Sequence, residues 1–145
     1  MSNHRATPLW AAGLALAAMV ILGGCGSGGP KVAGDAFTGP ASELVTRDGW
    51  YTLRVESPTP GWTITYDRSQ AGADERRLFF TLRRPNPEFL YAAVIVEQLV
   101  RTDVTAGQTV AVYARVLDYT QDAGGMAYRR VPEPEPDDAD SDGGG

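Results

Sequence analysis

Very few side chains in this sequence have the chemistry to form a covalent bond or to carry a proton near neutral pH. Cys25 is the only cysteine and His4 the only histidine among 145 residues. The thiol of Cys25 directly follows Leu22, Gly23 and Gly24, so two small residues lead up to it. A single thiol also leaves the chain without an internal disulfide. The chemistry to account for is therefore that of one cysteine at the end of an uncharged stretch.

The residues before Cys25 have the pattern of an export signal. Arg5 and the α-amino group form a short positive region, and residues 9–22 form an apolar region that is rich in Leu and Ala. This apolar region is too short to span a bilayer comfortably, and small residues follow it. We therefore expect residues 1–24 to direct export.

The stretch Leu22, Gly23, Gly24 and Cys25 resembles the lipobox of a bacterial lipoprotein signal peptide, in which an aliphatic residue and two small ones precede a cysteine. The resemblance covers residues 1–25. It implies that diacylglycerol is attached to the Cys25 thiol, that the chain is cut before Cys25, and that the mature protein sits on the extracytoplasmic side of a bacterial membrane, inner or outer. The alternatives are an uncleaved transmembrane anchor, which needs about 20 apolar residues, and an ordinary secretory signal.

Charge is unevenly distributed along the chain, which carries 13 Lys and Arg against 18 Asp and Glu. Acidic residues after residue 132 account for the excess: Glu133, Glu135, Asp137, Asp138, Asp140 and Asp142. The part between Cys25 and residue 132 is balanced, whereas a nucleic-acid-binding domain shows a basic excess. No nucleic-acid partner is expected.

Composition predicts four regions. Residues 1–24 are the signal peptide, and residues 25–44, rich in Gly, Ala and Pro, are the lipidated cysteine and a flexible tether. Residues 45–131 hold nearly all the aromatic and β-branched residues of the mature chain and form one small domain. Residues 132–145 alternate Pro with Glu and then become Asp- and Gly-rich, which predicts a disordered acidic tail.

Apolar residues in the domain recur with a period of two, and turn signals come every eight to twelve residues. We therefore predict an all-β fold, a small antiparallel β-sandwich of immunoglobulin-like kind, with an open β-barrel as the alternative. Residues 90–100 are apolar on both faces, which predicts a central strand. The expected inward-facing core residues include Ile64, Phe80, Val94 and Val112.

Catalysis is not expected. His4 leaves with the signal peptide, so the mature protein has no imidazole for acid–base work, for activating a nucleophile or for binding a metal. The carboxylate pairs Asp74–Glu75 and Asp137–Asp138 lie in polar, loop-like or tail-like sequence without the apolar setting that a catalytic carboxylate needs. We expect no cofactor and no metal.

Two features are candidates for binding. Arg76, Arg77, Arg83 and Arg84 bracket an apolar strand, either as charges that keep the strand soluble or as a site for an anion or a partner. Trp50 falls on the face opposite the apolar residues of its strand, so its ring either caps the sandwich or is exposed for stacking.

These observations favour a membrane-anchored envelope lipoprotein whose domain is a non-catalytic binding or interaction module for an envelope protein or a glycan. A structural or assembly accessory of the envelope and a carboxylate-dependent hydrolase are the alternatives. An exposed aromatic cluster around Trp50 would favour binding, and an open sheet edge would favour assembly by strand addition. A pocket with two convergent carboxylates would favour the hydrolase.

Overall fold

The computed structural model describes residues 28–134, and these residues form strands and loops without a helix. Eight strands follow one another along the chain: β1 (Val32–Ala36), β2 (Ala41–Arg47), β3 (Trp50–Ser57), β4 (Thr63–Ala71), β5 (Arg76–Arg83), β6 (Val96–Thr105), β7 (Val110–Leu117) and β8 (Tyr128–Arg130). The predicted signal peptide and lipobox, and the part of the predicted tail after residue 134, lie outside the described residues.

The strands form two sheets that pack as a β-sandwich, so the all-β sandwich prediction is confirmed. One sheet has five strands in the order β1-β8-β7-β5-β4, and the other has three in the order β2-β3-β6. The sheets are hydrogen-bonded separately, so the described strands do not form the alternative barrel.

Most neighbouring strands are antiparallel, as expected, but β5–β7 and β1–β8 are parallel. The β5–β7 pairing follows from the chain path. After β5 the chain crosses to the other sheet, returns along β6 and enters β7 in the direction of β5. Strand periodicity could not predict such a crossover. The pattern shows which side chains of a strand share a face, but it does not show which strands lie next to each other.

The folded domain begins before residue 45, so the predicted tether over residues 25–44 is wrong from β1 onward. β2 pairs with β3 along its whole length through a turn at Asp48 and Gly49, whose φ angles of 50° and 79° fit a two-residue hairpin turn. β1 has no fully buried residue and is held by backbone bonds, among them Tyr128 N–H to the Lys31 carbonyl at 2.8 Å. Such a strand cannot be recognised from a Gly- and Ala-rich sequence, because backbone hydrogen bonds rather than buried side chains hold it in the sheet.

The main core lies between the two sheets, and we call it the inner core. Its fully enclosed members come from both sheets: Leu53, Val55, Leu78, Phe80, Leu82, Val104, Val112, Ala114 and Val131. Phe80 and Val112 are buried as predicted, and Ile64 is half-buried against the same cluster. Val94 is 52% exposed, so its assignment to the core is wrong.

A second cluster covers the other face of the five-stranded sheet, and we call it the outer cluster. It consists of Phe79, Ala111, Tyr113 and Tyr128. The Phe79 ring lies 5.5 Å from Tyr113 and 5.0 Å from Tyr128, centroid to centroid. β5 is consequently buried from Leu78 to Leu82 on both of its faces. β5 is therefore an interior strand, between β7 and β4, that is buried on both faces.

The predicted central strand over residues 90–100 is therefore wrong. Residues 90–95 form a loop, and the strand begins only at Val96. That strand, β6, lies at an edge of the three-stranded sheet rather than at its centre. An apolar run on both faces fits a buried strand by pattern alone, but Leu90 is fully exposed in the structure.

Candidate functional site

The loop between β5 and β6 exposes a continuous apolar surface. Residues 89–95 have the sequence Phe-Leu-Tyr-Ala-Ala-Val-Ile, and we call them the apolar segment. Leu90 is fully exposed, Ile95 is 75% exposed and Phe89 63%. Exposed apolar side chains are common singly, but a contiguous group of them marks an interaction surface. The apolar segment is the strongest such feature among residues 28–134.

The start of the apolar segment is held by a rigid turn. Asn86 is buried, its side-chain Oδ1 accepts a bond from the Glu88 N–H at 3.0 Å, and its carbonyl accepts one from Phe89 N–H at 3.2 Å. Pro85 and Pro87 on either side restrict the backbone further. This turn sets the direction in which the segment leaves β5.

One residue of the segment packs back onto the domain. Tyr91 lies so close to Gly61 that a Cβ at that glycine would come within 2.3 Å of the tyrosine ring. The Phe89 ring meets the Tyr91 ring edge-on at 6.5 Å. Tyr91 thus fixes the middle of the segment, while Leu90 and Ile95 remain outside.

Arg83 and Arg84 fix the loop that follows β7, next to the apolar segment. Arg83 Nη1 donates to the carbonyls of Asp118, Tyr119 and Gln121, each at 2.9 Å. Arg84 Nε lies 3.4 Å from Asp118 Oδ1. The two loops enclose a recess of about 350 Å³ whose lining includes Tyr119, itself half-exposed. The recess extends the apolar surface.

The four arginines predicted as an anion site do not come together. Arg76 and Arg77 lie at one end of β5 and Arg83 and Arg84 at the other, roughly 20 Å apart at about 3.4 Å per residue. Arg76 donates to Ser69 Oγ at 3.2 Å, and Arg77 lies over the Tyr113 ring at 5.8 Å. The interpretation as charges flanking an apolar strand fits their separation.

Trp50 does not form an exposed aromatic cluster. Its ring is half-buried and is covered by the Arg101 guanidinium, whose carbon lies 4.5 Å from the ring centroid. A cation over the ring face is an attractive contact in itself. Trp50 is therefore already engaged within the three-stranded sheet.

A polar network that the sequence analysis missed lies beside the outer cluster. A bulge in β4 places Asp67 where its Oδ2 accepts bonds from Thr81 Oγ1 at 2.6 Å and from the Tyr128 hydroxyl at 3.0 Å. Arg115 Nε donates to Thr81 Oγ1 at 2.9 Å, and its Nη1 donates to the Ala123 carbonyl at 2.8 Å. Burial and the Asp67 charge raise the pKa of Tyr128, which keeps it a hydroxyl donor. The network holds the loop after β7 against the sheet.

A second opening lies on the other side of the sandwich, beside the edge strand β2. It is a groove of about 360 Å³ whose walls come from both sheets and from the start of the tail: Ser42, Leu44, Tyr51, Gln108, Thr109, Val110, Val112, Val131, Pro132, Glu133 and Pro134. The groove exists because the three-stranded sheet is too narrow to cover the whole inner face of the five-stranded sheet. It reaches the inner core at Val112.

Glu75 is paired with Arg130 at 3.7 Å, and Asp74 is exposed. Within residues 28–134 no group of three or more His, Cys, Asp or Glu side chains could hold a metal ion. In the same range there is no helix with the length and apolar character needed to cross a bilayer. Cys25, Leu22, Gly23 and Gly24 lie outside the described residues.

Comparison of the chain with protein-family models, curated proteins and solved structures gives no match. The function of this protein is therefore inferred from the sequence signals and from the surfaces described above.

Proposed function

We propose that this protein is a lipid-anchored lipoprotein of the bacterial cell envelope whose β-sandwich is a non-catalytic interaction module. The lipobox at Leu22 to Cys25 supports the anchor. The apolar segment supports the interaction. The proposal depends on one observation, that the Leu90 side chain in this segment is fully exposed. The partner is another envelope protein that covers this segment.

The shape of the surface favours a protein partner. The apolar segment leads without a break into β6, an edge strand of its sheet, and the recess around Tyr119 adjoins its beginning. Rigid loops on a stable scaffold are well suited to recognition because little conformational entropy is lost on binding. A bound protein would bury Leu90 and Ile95, which the strands within residues 28–134 leave uncovered.

Incorporation of labelled fatty acid tests the anchor. The wild-type protein should incorporate the label and fractionate with membranes, and Cys25→Ser should abolish labelling and accumulate as an uncleaved precursor. Equal labelling of the Cys25→Ser variant would disprove the anchor.

Crosslinking in the native cell tests the interaction module. A photo-reactive amino acid at position 90 should give one discrete protein adduct, and the same group at Glu56, an exposed position on β3, should not. The further change Ile95→Asp should abolish the adduct because it places a charge in the buried part of the interface. Adducts with lipid alone at position 90 would instead mean that the segment inserts into a membrane, against the proposal.

A second candidate function, assembly by strand addition, is favoured by the open edge of β2. An added strand could pair with the free backbone groups of β2 and place apolar side chains in the groove beside Leu44. Replacing Ser42 by Pro removes a backbone donor from this strand. Loss of the adduct at position 90 in that variant would favour this second function, whereas an unchanged adduct favours docking on the apolar segment.

A further inference from the structure

The chain that leads into the domain is already folded onto the five-stranded sheet at Gly28. Residues 28–30 lie against Arg68, Ser69 and Gln70, near the end of β4. A Cβ placed on Gly29 would lie 3.6 Å from the side-chain amide nitrogen of Gln70. The path of the chain is thus defined well before the first strand.

This path limits how far the domain can lie from a lipid on Cys25, and the inference rests on the anchor of the proposed function. Three residue steps separate Cys25 from Gly28, and a fully extended chain spans at most about 3.6 Å per residue, or roughly 11 Å in all. The headgroup layer of one leaflet is itself roughly 5–7 Å thick. The surface that holds residues 28–30 must therefore lie at or just above the headgroups.

The same surface carries positive charge. Arg68 pairs in register with Phe79 and Gln70 with Arg77, so these four residues lie beside one another across β4 and β5. Phe79 belongs to the outer cluster, which places Arg68, Gln70 and Arg77 on the outward face of the sheet; we call these three residues the anchor-side face. Lys31 follows directly after the bound residues 28–30.

These cations are available to an external anion. Within the part of the chain that the structure describes, no carboxylate lies within 4 Å of Lys31, Arg68 or Arg77 in an ion pair. The nearby carboxylate of Asp67 is already bonded to Thr81 and Tyr128. Guanidinium groups bind phosphate through paired donors, and anionic lipid surfaces attract such groups strongly.

We propose that the anchor-side face rests on the anionic phospholipid headgroups of the membrane that holds the lipid anchor. The sandwich then lies against the bilayer in one orientation rather than moving on a tether. The apolar segment follows the other end of β5, roughly 20 Å away along the strand, so it remains free for its partner.

Lipid-borne quenchers test this orientation in the lipidated full-length protein reconstituted into vesicles with about one third anionic phospholipid. Because the lipid occupies the only native thiol, one introduced cysteine can be labelled specifically with a fluorophore. Gln70→Cys places the probe on the anchor-side face, and Glu97→Cys places a matched probe on β6, in the opposite sheet. A headgroup-linked quencher should reduce emission from position 70 and leave position 97 nearly unchanged.

Removing the arginine charges tests whether the anchor-side face contacts the headgroups through electrostatic attraction or only lies close to them. Each basic side chain near an anionic surface contributes roughly a fivefold change in binding, so Arg68→Gln with Arg77→Gln should lower the equilibrium constant for the face-on orientation roughly 25-fold. Quenching at position 70 should then fall, in this variant and in neutral vesicles, to the level that the short chain to Cys25 maintains by itself. The control pair Arg47→Gln with Arg101→Gln, on the three-stranded sheet, should leave the quenching unchanged.

The outcomes separate this inference from the proposed function. Equal quenching at positions 70 and 97, in protein that floats with the vesicles, would overturn the orientation and leave the anchor intact. Protein that does not float and whose Cys25 reacts with a thiol reagent would overturn the anchor itself, and the orientation with it.

Discussion

Two apolar stretches close together in the sequence have opposite surroundings in this protein. Residues 78–82 of β5 are buried on both faces, whereas most of the apolar segment, residues 89–95, is exposed. β5 has hydrogen-bonded neighbours on both sides, β4 and β7, and a cluster on each face. The apolar segment follows two prolines and pairs with none of the eight described strands. Hydrophobicity therefore indicates that the surface of a stretch is favourable to bury. Strand pairing decides whether that surface is buried within the domain.

The largest expected contrast between the two stretches is in folding stability. Phe80→Ala should lower the free energy of unfolding by about 3–5 kcal/mol, because it leaves a cavity in the inner core. Leu90→Ala should change it by less than about 0.5 kcal/mol, because the side chain has no partners to lose. Urea denaturation followed by circular dichroism measures both values. Similar losses for the two variants would show that the segment is packed in solution.

A smaller loss is expected where β5 meets the polar network. Arg115→Met should cost about 1.5–3 kcal/mol, because the carbonyl of Ala123 and the hydroxyl of Thr81 lose a charged donor. Arg115 lies over the Tyr128 ring, 4.3 Å from its centroid. Arg101→Met is the matched control, since Arg101 lies over the Trp50 ring in the same way but is exposed, and it should cost less than about 1 kcal/mol. Thermal unfolding of the two variants gives the comparison. Equal losses would mean that the network adds nothing beyond ring stacking.

The turn that directs the apolar segment can be weakened without touching the segment. Asn86→Ala should lower stability by about 1 kcal/mol, because the Glu88 N–H loses its acceptor. It should also reduce the crosslinked adduct formed at position 90, because the segment loses its direction. Asn86→Asp keeps the acceptor oxygen and should retain the adduct. Loss of the adduct in both variants would show that the hydrogen-bond acceptor at position 86 does not set the direction of the segment.

A further expected effect concerns pH at the seam between β4 and β6, the strand into which the apolar segment leads. Burial, and then the hydrogen bond to Asp103, raise the pKa of Tyr66 from 10.0 to about 12. A raised pKa in the folded state means that the unfolded chain loses its proton first. The stabilising contribution is complete below pH 10 and is lost as the pH rises from about 10 to about 12.

Denaturation midpoints measured between pH 9 and 12 test this dependence. Tyr66→Phe should flatten the decline, whereas Tyr119→Phe, at an exposed position near the segment, should leave it unchanged. An equally steep decline in Tyr66→Phe would assign the pH dependence to other groups.

Alternation in the sequence was enough to predict the sandwich and most of its inner core. Leu53, Val55, Phe80 and Val112 lie where a period of two places them. β1 was missed because it has no buried side chain, and residues 90–95 were misassigned because a buried strand and an exposed apolar loop have the same composition. Periodicity could not distinguish these cases, since it describes one strand at a time.

The polar network was harder to foresee because its members come from four strands. Asp67, Thr81, Arg115 and Tyr128 are brought together only by the sheet order and by the bulge in β4. One signal was present: Arg115 interrupts an otherwise apolar strand, and a charge in such a strand requires a partner. The identity of that partner depends on the parallel pairing of β5 and β7, which aligns Thr81 with Arg115.

The parallel pairing of β1 with β8 also sets an order of events in the life of the chain. Among the strands that the structure describes, β1 has β8 as its one neighbour, so it stays without that partner until the end of the domain has been made. Contacts between distant parts of a chain also form late in folding. If Cys25 is modified as proposed, the modifying enzymes meet an N-terminus that is still extended and accessible. Folding then draws the lipid-bearing end against the sheet, so lipid attachment comes first and closure of the fold second.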